Sequence, residues 1–134
     1  MVYRRALKRC FDLSGALVLL VCLSPVGFSI GLLSLFFHGG RIIFRQQRVG
    51  KGGRAFRMMK FRTMNDLRDE QGNLLADEER ISRFGEFLRR SSLDELPQIL
   101  HVVTGKMSLV GPRPLLPEHV AHCSPEEFRR HAVR

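Results

Sequence analysis

The sequence predicts an α+β fold made of an apolar helical run divided at Ser24-Pro25, a small basic β-hairpin and then amphipathic helices. Three observations predict it. Residues 13–37 carry no charged side chain. Residues 41–49 and 54–64 alternate apolar and polar positions on either side of a glycine-rich tip. Residues 77–90 repeat apolar side chains at helical spacing, and just beyond them Ser92 and Glu95 stand at the separation of a capping box.

In the apolar run, a straight helix over residues 13–37 would be about 37 Å long, enough for a hydrocarbon layer of about 30 Å. Two features complicate a simple crossing. Arg4, Arg5, Lys8 and Arg9 precede the run and Arg41, Arg45 and Arg48 follow it. The preference of basic flanks for the cytoplasm therefore assigns no orientation and is met if both ends face that side. Ser24-Pro25 also divides the run into pieces of about 17–18 Å, each too short to cross alone. Pro25 deletes a helical hydrogen bond and crowds the preceding turn, while the Ser24 hydroxyl can bind a carbonyl so released. A kinked span and a helix that enters and leaves by one face are both open on these residues. A signal peptide is not expected, because the run is too long and no small-x-small site follows Phe37.

In the hairpin, Ile43, Arg45 and Gln47 face one way and Ile42, Phe44 and Gln46 the other, with Val49-Gly50-Lys51-Gly52-Gly53 as the turn. Those glycines are not expected to cradle phosphate, since the P-loop pattern is lacking and no helix follows. Arg41, Arg45, Arg48, Lys51, Arg54, Arg57, Lys60 and Arg62 bring basic charge to residues 41–65, which contain no acid. Most of these side chains are expected to form a solvated or membrane-contacting face. Residues 65–79 change character, with Asp66, Asp69, Glu70, Asp77, Glu78 and Glu79 around a Gln71-Gly72-Asn73 turn, and read as a surface loop. A single helix over 77–90 would place Ile81, Phe84 and Leu88 on one stripe, its acids at the start and Arg89 and Arg90 at the end, complementing the macrodipole.

A further helix is expected to begin near Leu93. Asp94 then lies in its first turn, where unpaired N–H groups favour negative charge. A carboxylate there can act as a nucleophile, and the neighbouring Glu95 can offer an oxygen to a divalent cation. Helix capping alone is the other reading of this pair.

Taken in order, Ser24-Pro25 in the apolar run, Lys60-Phe61-Arg62-Thr63-Met64, Leu93-Asp94-Glu95-Leu96-Pro97-Gln98 and Ser108-Leu109-Val110-Gly111-Pro112-Arg113-Pro114 resemble one family, over nearly the whole chain. It is the bacterial sugar transferases, monotopic polyprenyl-phosphate phosphoglycosyl transferases. The resemblance implies that residues 1–40 form a re-entrant helix-break-helix in the membrane and that residues 41–134 form a catalytic domain at the cytoplasmic face of the bacterial inner membrane. It implies transfer of a sugar 1-phosphate from a nucleotide diphosphate sugar to polyprenyl phosphate, an early step of exopolysaccharide, lipopolysaccharide or related glycan assembly. Asp94 would be the nucleophile and Glu95 would hold Mg²⁺. Lys60, Arg62, Thr63, Arg89 and Arg113 would contact phosphate. The two prolines flanking Arg113 restrict it to an extended loop, which lowers the entropic cost of holding its side chain. A rigid turn closing the core is the plainer role for the same loop.

Composition sets the outer bounds. With 134 residues and a net charge of +9, the chain is one domain in want of an anionic partner. Charge before residue 65, beside the apolar run, favours anionic membrane lipids over nucleic acid, and one Tyr with no Trp makes a poor base-stacking surface. A homo-oligomer is left open. Cys10, Cys22 and Cys123 show no metal or disulfide spacing and read as reduced thiols. His38, His101, His119, His122 and His131 form no ligand set and read as surface or incidental. Family members continue beyond the Pro-Arg-Pro loop, so the end at Arg134 implies a shortened C-terminus. An inactive, membrane-anchored scaffold is the alternative to an active enzyme.

Overall fold

The computed structural model describes residues 2–50 and 53–120. The expected helix near Pro125, together with Cys123, His122 and His131, lies outside them, and the side chain of His119 is likewise undescribed. The architecture is α+β, in the order α1 (Val2–Phe37), β1 (Ile43–Val49), β2 (Ala55–Phe61), α2 (Asp77–Arg80), α3 (Arg83–Arg90), a 3-10 helix (Leu93–Gln98), α4 (Ile99–Val103) and α5 (Pro117–Val120). The two strands pair as a hairpin and are therefore antiparallel. At its tip the Gly50 N–H donates to the Arg54 carbonyl, and Gly53 adopts a φ of 75° that a side chain would disfavour.

α1 is one continuous helix with Pro25 inside it. The helix-break-helix expected at Ser24-Pro25 is not seen: the helix runs through both residues and lacks one hydrogen bond. Pro25 has no N–H for the Val21 carbonyl four residues back, and the Ser24 hydroxyl donates to that same carbonyl at 2.8 Å. Of its most apolar stretch only 11% is buried. Phe11, Val21, Phe28 and Phe36 are all well exposed, which a helix in the core of a soluble protein would not show.

The chain divides into two compact units. The first comprises residues 1–24, 45–59 and 98–134. Here Arg9 on α1 donates to the carbonyls of Val102 (2.6 Å) and Val103 (2.7 Å) at the end of α4. His101 of α4 is buried, against the surface role expected for it. Its Nε2 accepts the Met59 N–H at 3.2 Å and its ring meets the edge of Phe56. Val49 pairs with Leu115 in an isolated antiparallel bridge.

The second unit comprises residues 25–44 and 60–97. Its core is Ile30, Phe61 and Leu88, with Ile42, Phe84, Leu93 and Leu96 packed against them. The single helix expected over 77–90 is two helices. Ile81 is extended between them and bridges to Met64, and the Asn65 N–H donates to the Arg80 carbonyl. Ser82 then caps α3 by accepting the Gly85 N–H at 2.9 Å. The acidic stretch before Asp77 is the largely exposed loop expected of it, tied together by its own acids: Asp69 accepts the N–H groups of Gln71 and Asn73, and Asp66 pairs with Arg41 and Arg62.

Candidate active site

The second unit assembles most of the expected site. In β2, alternation sends Phe61 into the core and leaves Lys60 on the opposite face. After Ser91 the chain tightens into the 3-10 helix. With three residues per turn, Leu93 and Leu96 fall on one side and both pack into the core. Asp94 and Glu95 are thereby held on the remaining sides of the turn. Lys60 Nζ lies 2.7 Å from Glu95 Oε1 and 3.7 Å from Asp94 Oδ2. Asp94 is buried and Lys60 mostly so, and removal from water strengthens the attraction among these charges.

The capping box expected here is not formed. Ser92 has a φ of 56°, whereas a capping residue is extended, and the Glu95 N–H goes to the Ser92 backbone carbonyl. The Glu95 side chain turns to Lys60 instead. Pro97 explains the tight turn, since it has no N–H to offer the Leu93 carbonyl that an α-helix would require. The Asp-Glu pair therefore sits in a 3-10 helix of 6 residues and gains little from a macrodipole.

α3 brings a second cation to the Lys-Phe-Arg-Thr-Met segment. Arg89 Nε donates to Thr63 Oγ1 at 3.0 Å, and Thr63 is buried. This approach depends on Gly85. A Cβ there would collide with the Thr63 carbonyl oxygen and lie 2.7 Å from its carbon. Arg62 is turned the other way, donating through Nε to the Met64 carbonyl and pairing with Asp66. His38, expected at the surface, is buried beside Ser82. Burial first, and the Arg62 charge second, hold its pKa below the ordinary histidine value.

Arg113 belongs to the first unit, as does Ser24, while Pro25 begins the second. Pro114 is buried and its carbonyl accepts Arg48 Nη1 at 3.4 Å; Arg113 itself is exposed. Sequence patterns gave no weight to Asp12, which is 3% exposed and accepts the Ser108 hydroxyl (2.9 Å) and the Leu109 N–H (3.2 Å). A lone acid four residues after Lys8 at the mouth of an apolar run was the available signal.

Among the described residues, no three His, Cys, Asp or Glu side chains gather to hold a metal by themselves. The donor chemistry still fits Mg²⁺, which takes one or two carboxylates and completes its shell with water and substrate phosphate. Two adjacent carboxylate side chains converge here on one cation.

Residues 3–134 match the family described as bacterial sugar transferase. The chain is 46% identical over 129 residues to a Bacillus subtilis (strain 168) protein named uncharacterized sugar transferase EpsL, covering 96% of this chain and 63% of that protein. It is 42% identical over 128 residues to the Escherichia coli (strain K12) UDP-glucose:undecaprenyl-phosphate glucose-1-phosphate transferase, covering 94% of this chain and 26% of that one. Identity to the exopolysaccharide production protein PSS of Rhizobium leguminosarum bv. phaseoli is 39% over 140 residues, or 96% of this chain and 68% of the relative. The chain thus spans under two thirds of the first two relatives and just over two thirds of the third. With a match running over residues 3–134, the chain belongs to the bacterial sugar transferase family.

Proposed function

We propose that this chain carries the transfer chemistry of a polyprenyl-phosphate sugar-phosphate transferase, working through a covalent aspartyl phosphosugar. The observation that carries the reading is Lys60, whose ammonium joins the two carboxylates of a separate motif at 2.7 and 3.7 Å. The names of the relatives support the substrate classes: a nucleotide diphosphate sugar as donor and a polyprenyl phosphate as acceptor.

In this mechanism an Asp94 oxygen attacks the phosphorus bonded to the sugar. The bond from that phosphorus to the bridging oxygen breaks, and nucleoside monophosphate leaves with the electron pair. A phosphate oxygen of the polyprenyl phosphate then attacks the same phosphorus, a polyprenyl diphosphosugar forms and Asp94 is released. Two displacements suit substrates that arrive separately from water and from lipid, and they predict ping-pong kinetics. Lys60 neutralises charge between donor phosphate and the two carboxylates, and Arg89, fixed by Thr63, offers a second cation. Arg113 is a further phosphate contact. Arg62, tied to Asp66 and Met64, serves to shape the Thr63 turn. When bound, Mg²⁺ would be held by Glu95 with phosphate and water and would neutralise charge on the departing nucleotide.

Residues 1–40 would form a re-entrant element in the cytoplasmic membrane, with both its ends and the catalytic residues 41–134 on the cytoplasmic side. The exposed apolar faces of α1 and the basic hairpin beside it support contact with anionic lipid. Intact mass of the purified protein after incubation with a panel of nucleotide diphosphate sugars and Mg²⁺ tests the proposal. The expected result is a gain of one phosphosugar that Asp94→Asn lacks, with its secondary structure retained. A wild-type chain that never gains that mass would refute the transfer and favour a binding or scaffold role.

A further inference from the structure

The first turns of α1 hold more than a membrane element would need. Asp12 is 3% exposed, although an isolated buried carboxylate is strongly disfavoured. Its charge is compensated by Lys8, one turn earlier, at 3.6 Å. Both residues are committed to the Ser108-Leu109-Val110 segment, through its backbone and the Ser108 hydroxyl. Lys8 Nζ donates to Ser108 Oγ (2.6 Å) and to the Val110 carbonyl (3.1 Å). Asp12 Oδ1 accepts the Ser108 hydroxyl (2.9 Å) and the Leu109 N–H (3.2 Å). Gly15, on the same side of α1, leaves room for the Leu109 side chain, whose Cδ1 would lie 2.8 Å from a Cβ at that position.

The chain is held again four and five residues after Val110. The Val49 N–H donates to the Leu115 carbonyl at 2.8 Å, and Arg48 reaches the Pro114 carbonyl. Between these anchors lie Gly111, Pro112, Arg113 and Pro114. Two prolines fix their own φ angles, and an anchor at each end removes most of the freedom left.

We propose that Asp12, with Lys8 as its counter-ion, is a positioning residue for the transfer reaction. It fixes the Ser108–Val110 backbone so that Arg113 is presented to substrate phosphate in one place. This rests on the phosphate-binding role proposed for Arg113.

The test uses the full chain in lipid nanodiscs. Hydrogen exchange over residues 108–116 reads the clamp without any activity. Asp12→Ala should speed exchange there on the order of tenfold, as expected for loss of a charge-assisted hydrogen bond, and leave the hairpin unchanged. Unchanged exchange at 108–116 would overturn the proposal. Should Asp12→Ala not accumulate as folded protein, Asp12→Asn and Ser108→Ala replace it, each removing part of the clamp at constant volume and each expected to show a smaller increase.

The kinetic arm separates positioning from general destabilisation. Asp12→Ala should raise the donor KM about tenfold, with the aspartyl adduct still formed at saturating donor, as for lost uniform binding. Arg113→Ala should do the same, and the double variant should be no worse than Arg113→Ala alone, because Asp12 acts through it. Additive effects would overturn the positioning role. A wild-type chain that forms no adduct would refute the transfer itself, leaving the clamp to be decided by exchange.

Discussion

Lys60 is the residue at which two motifs distant in sequence meet, and its removal should be felt by both carboxylates. Lys60→Met keeps the length and packing of the stem but leaves Asp94 and Glu95 facing each other without their cation. We expect adduct formation to slow about 100-fold or more, the scale seen when one preorganised charge stabiliser is removed. Rapid-quench measurement of adduct mass checks it, and a rate near wild type would remove Lys60 from the mechanism. His101 gives a pH signature at the same scale. Burial, followed by repulsion from Lys106, lowers its pKa, and the Met59 N–H can bond Nε2 only while that nitrogen is unprotonated. The stability it contributes is present above the unfolded value of about 6.5 and is lost as pH falls through the lower folded value. The unfolding midpoint should drop from pH 7.5 to pH 5, and the drop should shrink in His101→Gln, whose amide oxygen can accept the same N–H at any pH. His38 contributes with the same sign, so the drop does not vanish.

At the scale of elements, the approach of α3 to the end of β2 decides the shape of the site. Gly85→Ala would gain about 1 kcal/mol of helix propensity. Against that, the new Cβ meets three atoms of the Thr63 backbone, two of them at 2.7 and 2.9 Å, and backbone cannot rotate away as a side chain can. Overpacking costs of about 1–3 kcal/mol and sometimes more are usual for such insertions, so the net effect is destabilising, and the Arg89–Thr63 bond should be lost with it. A denaturant midpoint equal to or above wild type would contradict this close packing. The uncharged run made α1 legible in the sequence, alternation did so for both strands, and helical spacing for the buried Leu88. Capping-box spacing placed Asp94 and Glu95 at the head of a turn. The turn's 3-10 geometry was not legible, because the competition between Ser92 as a cap and Pro97 as a breaker is settled by Leu93 and Leu96 reaching the core. The split between α2 and α3 was hidden for a related reason: Ile81 fits a helical stripe, but its backbone pairs with Met64, a partner far away in sequence.

For the whole molecule, the question is on which side of a membrane the two ends of α1 lie. A leucine at position 25 supplies the helical N–H that Pro25 lacks and relieves its crowding of the preceding turn, so Pro25→Leu should favour a straight helix able to cross. Cys10 is exposed near the start of α1 and reports its position in a chain with Cys22 and Cys123 changed to Ser. An impermeant maleimide should reach Cys10 in inverted inner-membrane vesicles and leave it unlabelled in intact spheroplasts. Labelling in spheroplasts would show a spanning helix, and Pro25→Leu is expected to move part of the population to that state.

The sequence by itself determined the class of elements, the apolar helix with its Ser24-Pro25 weak point, the basic hairpin and the motifs that mark the family. These are local or periodic properties, carried by neighbouring residues. Tertiary structure alone decided which charges meet. Lys60 closes on the Asp94-Glu95 pair across 35 residues, and Asp12 closes on Ser108 across 96. Those contacts depend on Phe61, Leu88, Leu93 and Leu96 sharing one core, and on Gly15 and Gly85 allowing backbone and side chains to approach. Charge pairing at such separations has no period along the chain, and only the packed core fixes the distance.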